Sequence, residues 1–234
     1  MPLKSMDEDV QAAAARLVRR LKEGGHTITV AESCTGGLLA SAFTDIAGAS
    51  QWFNQSWVTY SNEAKITELG VSADLLEKKG AVSAGVAMAM AQGAVKRAKA
   101  SIAISITGIA GPSNDGTNKK VGMVYVGIAS STNWANAEST QIGGNRAENK
   151  IAFVHFALLT AIRCWDDAMA LAEENKRAED EALIAKAKAE ALFEIERAQR
   201  DAAAREATPW KDDAWDGTGD QPTKDDDIDS DIEW

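Results

Sequence analysis

Residues 29–43, TVAESCTGGLLASAF, break an apolar, strand-like run with Glu-Ser-Cys-Thr-Gly-Gly and then resume with helical spacing. Ser33 on such a turn could be a nucleophile, with the backbone N–H groups that follow it serving as an oxyanion hole. A glycine pair at a helix start could instead hold a phosphate or a carboxylate on free N–H groups. A third interpretation is that Gly36 and Gly37 only allow close packing of helix on sheet. The turn alone leaves all three open.

A second polar stretch, WVTYSNEAK, ends a predicted strand and begins a predicted helix. It places Tyr60, Asn62 and Lys65 close together at that junction. A lysine whose pKa is lowered by partial burial can serve as a base. Taken singly, Tyr60 could equally be a half-buried strand residue and Lys65 a solvated helix lysine.

Two more stretches carry groups that suit anion binding. SITGIAGP ends an apolar run at Thr107 and Gly108, and GGNR sets Arg146 at the start of a predicted helix, where a guanidinium can hold a phosphate through two hydrogen bonds. Each also has an ordinary explanation, as the edge of a core or as a surface charge. Together with the first two stretches they supply a nucleophile, a base, oxyanion donors and an anion clamp.

The elements that must position these groups follow from periodicity and punctuation. Interleaved helices and buried strands predict an α/β fold, specifically a three-layer α/β/α sandwich with a mixed sheet that includes one antiparallel hairpin. Ser72 and Ser83 are predicted N-caps. The predicted helices cover residues 7–23, 36–45, 62–69, 71–79, 84–99 and 146–165, and the predicted strands cover 26–31, 52–61, 100–107, 121–130 and 133–142.

The composition changes after Cys164, which divides the sequence into a domain over residues 1–164, a long charged helix over 165–207 and a disordered acidic tail over 208–234. Charge pairs at i,i+4 support the helix, and its sparse apolar side chains favour an exposed spacer over a coiled coil. Trp210, Trp215 and Trp234 could anchor a protein partner, although acidic tails more often serve solubility.

Charge and composition exclude several classes of protein. Residues 1–164 contain 16 basic and 13 acidic side chains, whereas residues 165–234 contain 9 and 22, so the negative charge belongs to the segment after Cys164. A near-neutral domain argues against nucleic-acid binding. No apolar run suits a membrane span or a signal peptide, so we expect a cytoplasmic protein without membrane contact. Two cysteines and two histidines predict neither a disulfide framework nor a zinc site.

The strings AESCTGG, TDIAGAS, WFNQSWVTYSNEAK, GAVS and ITGIAGP occur in that order, and the sequence over about residues 10–163 closely resembles the CinA C-terminal-domain family. These are competence-damage-inducible proteins whose single-domain members include nicotinamide mononucleotide deamidases. The resemblance implies an α/β/α fold, a homo-oligomer, and hydrolysis of nicotinamide mononucleotide to nicotinate mononucleotide and ammonia in pyridine nucleotide recycling, with no metal and no cofactor.

The resemblance also implies roles for particular residues. Ser33 matches the nucleophile of the family, and Tyr60 and Lys65 match its catalytic tyrosine and lysine. From the four polar stretches we hypothesise that neutral Lys65, directly or through Tyr60, takes the proton of Ser33, and that the backbone N–H groups of residues 34–37 hold the oxyanion. We expect the thiol of Cys34 to be dispensable. The predicted substrate-binding residues are Cys34, Thr35, Gly36, Gly37, Ser50, Asn62, Thr107, Gly108 and Arg146.

Three features depart from the family pattern. Asn145 stands where an acidic residue usually precedes the arginine, the loop over residues 113–120 lacks its usual proline, and the chain after Cys164 has no counterpart. An alternative function is therefore a catalytically silent binding or regulatory module whose helix and tail recruit a partner. Another is an amidase for a different small amide.

Overall fold

The computed structural model describes residues 2–114, 116 and 118–207, with side chains from residue 7 onward. The predicted tail over residues 208–234 lies outside the described residues. The described helices are α1 (Pro2–Glu23), α2 (Leu38–Thr44), α3 (Asn62–Leu69), α4 (Ala73–Lys79), α5 (Ala84–Ala98) and α6 (Arg146–Ala207), with a short 3-10 helix at Ala49–Gln51; the strands are β1 (Ile28–Glu32), β2 (Phe53–Val58), β3 (Ile102–Gly108), β4 (Met123–Ser130) and β5 (Ala135–Gln141).

One five-stranded sheet, in the order β2-β1-β3-β4-β5, forms the centre of the domain. β1 is parallel to β2 and to β3, while β4 runs antiparallel to β3 and to β5, so the predicted mixed sheet and its hairpin are confirmed. Glu32 lies opposite both Val58 and Ile106. The carboxyl ends of β1, β2 and β3 therefore meet at one edge, the place where α/β domains form their sites.

Helices cover both faces of the sheet, which confirms the three-layer sandwich. Ile28 and Val30 of β1 face a core shared with α1, α2 and the first turns of α6. Ala31 points to the opposite face of the sheet. There it joins a second core, which is formed with α5 and with residues of α3 and α4. The apolar face of α1 is buried; its members are Val10, Ala14, Leu17, Val18 and Leu21.

Serine side chains begin three consecutive helices. The hydroxyls of Ser61, Ser72 and Ser83 accept hydrogen bonds from the N–H groups of Ala64, Leu75 and Val86, respectively. Ser72 and Ser83 are confirmed as the predicted N-caps. Ser61 is an additional cap, and because it fixes the start of α3 it also fixes the position of Lys65 one turn later.

Gly93 of α5 allows α3 to approach closely. A Cβ atom at this position would lie 1.9 Å from the backbone oxygen of Leu69 and 2.8 Å from its carbonyl carbon. Leu69 is the last residue of α3. The absence of a side chain at Gly93 therefore sets how deeply the helix that carries Lys65 can sit against the sheet.

α6 continues without a break from Arg146 to Ala207. The predicted helix over residues 146–165 and the predicted charged helix over 165–207 are thus one element. The compact unit extends to Glu174, and the second unit begins at Asn175. All residues from 175 to 207 are exposed, including Leu183, Leu192 and Phe193. None of the described helices combines the length and the apolar character needed to cross a membrane.

We expect Gly93→Ala to lower the free energy of unfolding by about 2 kcal/mol, because the new methyl group collides with backbone that cannot rotate away. The change would otherwise stabilise a helix by up to about 1 kcal/mol. Urea denaturation measures the effect. The matched control is Gly85→Ala in the same helix, where the nearest atom is the flexible side chain of Leu75 at 3.3 Å. Equal stability of the two variants would contradict this account of the α3–α5 contact.

Candidate active site

The ends of the three parallel strands bring Ser33 and Lys65 into direct contact. Ser33 follows β1, and its N–H donates to the carbonyl of Ile106 on β3 at 3.0 Å. Lys65 Nζ lies 3.1 Å from Ser33 Oγ and also donates to the carbonyls of Thr59 at 2.8 Å and Tyr60 at 3.3 Å. All three hydrogen-bond partners of the Lys65 amine are therefore oxygen atoms.

Lys65 is almost completely buried, with 1% of its surface exposed. The cost of desolvating an ammonium lowers the pKa of Lys65 from 10.5 to about 8. A substantial fraction of the amine is consequently neutral near physiological pH. Ser33 is also buried, at 8% exposure, so the pair is shielded from most of the surrounding water.

Glu32, the last residue of β1, holds the turn in place. Its buried carboxylate accepts hydrogen bonds from the N–H groups of Gly37 at 3.0 Å, Leu39 at 3.2 Å and Ala40 at 2.8 Å. It thus satisfies amides at the start of α2 that a helix leaves without partners. Sequence reasoning did not select Glu32, although a glutamate at the end of an apolar strand, directly before a glycine turn, was a usable signal.

The carboxylate of Glu32 also limits which amides of the turn remain available. Gly37 donates to Glu32, and the N–H of Gly36 donates to the carbonyl of Ser33 at 3.1 Å. Within the described residues, the amides of Cys34 and Thr35 donate to no other residue. Of the four predicted backbone donors, these two are the ones that a ligand could engage.

Arg146 joins the start of α6 to two other parts of the site. Its Nη2 donates to the hydroxyl of Tyr60 at 2.8 Å, and its Nη1 donates to the carbonyl of Gly111 at 2.6 Å. Tyr60 contacts Lys65 through its backbone carbonyl, while its hydroxyl points to Arg146. Tyr60 thus contacts Lys65 through its backbone and the guanidinium of Arg146 through its side chain, with 59% of the residue exposed.

Three further predicted residues lie at the ends of β3 and α3. Thr107 is buried at the end of β3, and its hydroxyl donates to the carbonyl of Ala81 at 2.9 Å. Gly108 leaves no room for a side chain, since a Cβ atom would lie 2.7 Å from the oxygen of Met123. Asn62 is exposed at the start of α3.

Ser50 is the predicted residue that this arrangement does not bring to Ser33. It lies in the 3-10 helix before β2, whereas Ser33 lies beyond the opposite end of the parallel strand β1. The strand β2, which spans the sheet between these two ends, is about 16 Å long.

Two further residues at the site were missed from the sequence. Asn149 is fully buried, and its Nδ2 donates to the carbonyls of Ala110 and Gly144, both at 3.0 Å. It thereby ties together the two loops beside Arg146. The ammonium of Lys150 lies 3.8 Å from the position that a Cβ atom on Gly36 would occupy. The only available signal was their spacing of three and four residues after Arg146, which places them on nearby parts of a helix surface.

The atypical Asn145 is the N-cap of α6. Its side-chain oxygen accepts from the N–H groups of Ala147 at 2.9 Å and Glu148 at 3.1 Å, and its own N–H donates to the carboxylate of Glu148 at 2.9 Å. This is the reciprocal arrangement of a capping box. The departure from the family pattern is thus compatible with a well-formed helix start.

Cys34 does not have the environment of a reactive cysteine. The thiol is buried, and desolvation raises its pKa to about 12. Its thiolate is therefore scarce at neutral pH. That the thiol is dispensable stays a prediction.

Fold and site define a class of protein: an α/β/α domain with a serine and a buried lysine in contact at the carboxyl edge of parallel strands. The chain belongs to the CinA C-terminal domain family, whose sequence profile matches residues 10–165. This membership confirms the resemblance found in the sequence.

Several relatives can be compared directly. The chain is 46% identical over 143 residues to the nicotinamide-nucleotide amidohydrolase PncC of Enterobacter agglomerans, a match that covers 61% of this chain and 87% of that protein. It is 41% identical over 154 residues to the protein of the same name from Escherichia coli K12, covering 66% and 93%, respectively. Against five other curated relatives, named as competence-damage inducible or CinA-like proteins, the match spans only 29% to 36% of their length.

A solved structure gives the same fold. The competence/damage inducible protein CihA from Agrobacterium tumefaciens superposes with a TM-score of 0.64 at 38% sequence identity, covering 66% of this chain and 94% of that one. The helix beyond residue 165 lies outside the family match.

We expect the buried lysine to make stability depend on pH in alkaline solution. Between its folded pKa of about 8 and its ordinary value of 10.5, the unfolded chain binds the Lys65 proton and the folded protein does not. Stability should therefore rise with pH in this window, by about 1.4 kcal/mol per unit of pKa difference, or about 3 kcal/mol in all.

The measurement is urea denaturation of the wild type and of Lys65→Met at pH values from 7 to 11. The difference between the unfolding free energies of the two proteins reports Lys65 alone. Cys34, whose pKa is raised in the folded protein, lowers stability at alkaline pH, but it does so in both proteins. Lys96→Met, at an exposed site, is the control and should follow the wild type. Parallel curves for wild type and Lys65→Met would show that the Lys65 pKa is not lowered.

Proposed function

We propose that this chain is a nicotinamide-nucleotide amidase that hydrolyses the carboxamide of nicotinamide mononucleotide to nicotinate mononucleotide and ammonia. Two relatives of that name match it along 87% and 93% of their length. The observation that carries the proposal is the 3.1 Å contact between Ser33 Oγ and the buried Lys65 Nζ. Amide hydrolysis needs a nucleophile and a base in such contact.

The surroundings of Lys65 suit a neutral amine. Its Nζ has three oxygen neighbours, of which the carbonyls of Thr59 and Tyr60 can only accept hydrogen bonds. A neutral amine has two N–H groups for these two carbonyls, and its lone pair is then left for the hydroxyl proton of Ser33. Lys65 can thus take that proton directly, without Tyr60 as an intermediary.

The proposed reaction proceeds in two stages. Ser33 Oγ attacks the carboxamide carbon as its proton moves to Lys65, and Lys65 then gives this proton to the nitrogen that leaves as ammonia. A water molecule loses a proton to Lys65 and attacks the resulting ester, which releases the carboxylate product and regenerates Ser33. The negative oxygen of each tetrahedral intermediate would accept hydrogen bonds from the amides of Cys34 and Thr35.

The remaining predicted residues would bind the rest of the substrate. Arg146, with Thr107 and Ser50, would bind the ribose phosphate, and Asn62 would contact another part of the substrate. Ser50, about 16 Å away along β2, would reach the substrate only from a second protomer. The predicted homo-oligomer would permit this, and the proposal includes it.

The proposal needs side chains and water but no cofactor. It places the protein in the cytoplasm, in the recycling of pyridine nucleotides. The exposed helix from residue 175 favours one further candidate, a binding module that recruits a protein partner, because apolar side chains such as Leu183, Leu192 and Phe193 are exposed along it.

The direct test is ammonia release from nicotinamide mononucleotide. We expect Ser33→Ala to reduce kcat by about 10³-fold or more, because it removes the nucleophile. Since Lys65 must be neutral, kcat/KM of the wild type should rise about tenfold per pH unit below pH 8 and level off above it. The control is Ser41→Ala, which changes an exposed serine of α2 and should leave kcat and kcat/KM unchanged. Equal rates for wild type and Ser33→Ala would exclude the proposed nucleophile.

Removal of the second unit separates the two candidate functions. A chain that ends at Glu174 contains the whole compact unit. An autonomous amidase should keep kcat and KM within about twofold of the full chain, because every proposed catalytic group precedes residue 151. Loss of activity from a truncated chain that unfolds at the same temperature as the full chain would instead favour a function that depends on the long helix.

A further inference from the structure

Lys150 places a second positive charge at the serine turn. It follows Arg146 by four residues on α6, so the two side chains project from neighbouring turns of one helix face. The Lys150 ammonium lies beside Gly36, 3.8 Å from the position of a Cβ atom there. The side chain is half-buried. One helix thus brings two cations to the edge where Ser33 is located.

The charge of Lys150 has no counterpart in the described part of the chain. None of the ion pairs or hydrogen bonds of the described residues involves its ammonium. Glu32, the buried carboxylate of the same turn, already accepts three amide hydrogen bonds, and Glu148 accepts one from Asn145. The positive charge of Lys150 is therefore available to pair with a bound anion.

Arg146 has less capacity for an anion than its position suggests. Nη1 is bonded to Gly111 and Nη2 to the hydroxyl of Tyr60. Lys150, in contrast, offers three donors on a compact charge, a form well suited to phosphate oxygens. The turn contains one more unused group, the hydroxyl of Thr35, which is buried and has no hydrogen-bond partner among the described residues.

We propose that Lys150 binds the 5′-phosphate of the substrate together with Arg146 and so makes the enzyme select nucleotides over nucleosides. The inference rests on the proposed function and assigns the substrate's second charge to a particular side chain. Because Lys150 would contact a group that does not change in the reaction, it should contribute to binding of the ground state and the transition state alike. Its loss should raise KM and leave kcat nearly unchanged.

The test compares Lys150→Gln, Lys150→Arg and the wild type on nicotinamide mononucleotide and on nicotinamide riboside, which lacks the phosphate. For the nucleotide, Lys150→Gln should lower kcat/KM by about 10- to 100-fold, mainly through KM, as expected for the loss of a charged hydrogen bond. For the riboside it should change kcat/KM by less than about twofold. Lys150→Arg should retain most of the activity on the nucleotide, and Lys96→Gln, on the exposed face of α5, should match the wild type.

Two results would overturn the inference. Equal losses on nucleotide and riboside would mean that Lys150 acts at the carboxamide or supports the fold, and unchanged kinetics on both would mean that it binds no phosphate. A thermal melt of Lys150→Gln identifies loss of folding, in which case Lys150→Met, which keeps an unbranched apolar stem one atom shorter than lysine, replaces it.

A binding measurement separates failure of this inference from failure of the proposed function. Isothermal titration of the full chain with nicotinate mononucleotide and with inorganic phosphate requires no turnover. If the wild type binds both ligands and releases no ammonia, the amidase proposal fails, and weaker binding by Lys150→Gln still supports the phosphate site. Identical affinities of the wild type and Lys150→Gln for both ligands overturn it.

Discussion

The carboxylate of Glu32 is the constraint on which the rest of the site depends. It lies at the end of β1, is fully buried, and accepts three amide hydrogen bonds from the start of α2. These bonds force the chain to turn sharply directly after the strand, which places Ser33 at the sheet edge. They also occupy the amide of Gly37, so the free donors of the turn are those of Cys34 and Thr35. A single side chain thereby fixes both the serine and the part of the turn that can receive a negative charge.

The second requirement is the burial of Lys65, which has an energetic cost. The folded protein must desolvate an ammonium or release its proton, and the pKa of Lys65 falls to about 8 as a result. The close contact of α3 with α5 at Gly93 enforces this burial. The backbone carbonyls of Thr59 and Tyr60 offset part of the cost by accepting hydrogen bonds. This pattern, in which local stability is given up to obtain an amine that is partly neutral near physiological pH, is typical of functional sites.

The start of α6 carries the remaining residues of the site. Its N-cap Asn145 orients the first turn, Arg146 contacts both Tyr60 and Gly111, and Asn149 holds the carbonyls of two loops. Lys150 then reaches the serine turn from the next turn of the same helix. These four residues belong to one rigid element. The distances from Arg146 and from Lys150 to Ser33 are therefore set by how α6 packs on the sheet. The capping box formed by Asn145 and Glu148 explains why a residue that departs from the family pattern still supports this geometry.

Much of the fold follows from the sequence alone, because local rules decide it. The 3.6-residue spacing of apolar residues in α1, the serine caps of α4 and α5, and the apolar run of β3 each depend on a few neighbouring residues. The grouping of Ser33, Tyr60, Lys65 and Arg146 was also foreseen, since all follow or precede predicted elements at strand ends and match the motifs of one family. The sequence did not show that α6 is continuous, because a change of composition at residue 165 alters exposure without interrupting a helix.

Side-chain contacts between distant segments of the chain were decided only by the tertiary structure. The sequence determined that a serine, a lysine and an arginine lie near the ends of strands and helices, since spacing and turn chemistry are local. Only packing decided that Lys65 contacts Ser33 directly, that the Tyr60 hydroxyl turns to Arg146, and that Glu32 holds the turn. It also placed Ser50 at the opposite edge and Lys150 beside Gly36. The physical reason is that hydrogen bonds and desolvation act across space, between residues up to more than a hundred positions apart, and no local pattern in the chain records them.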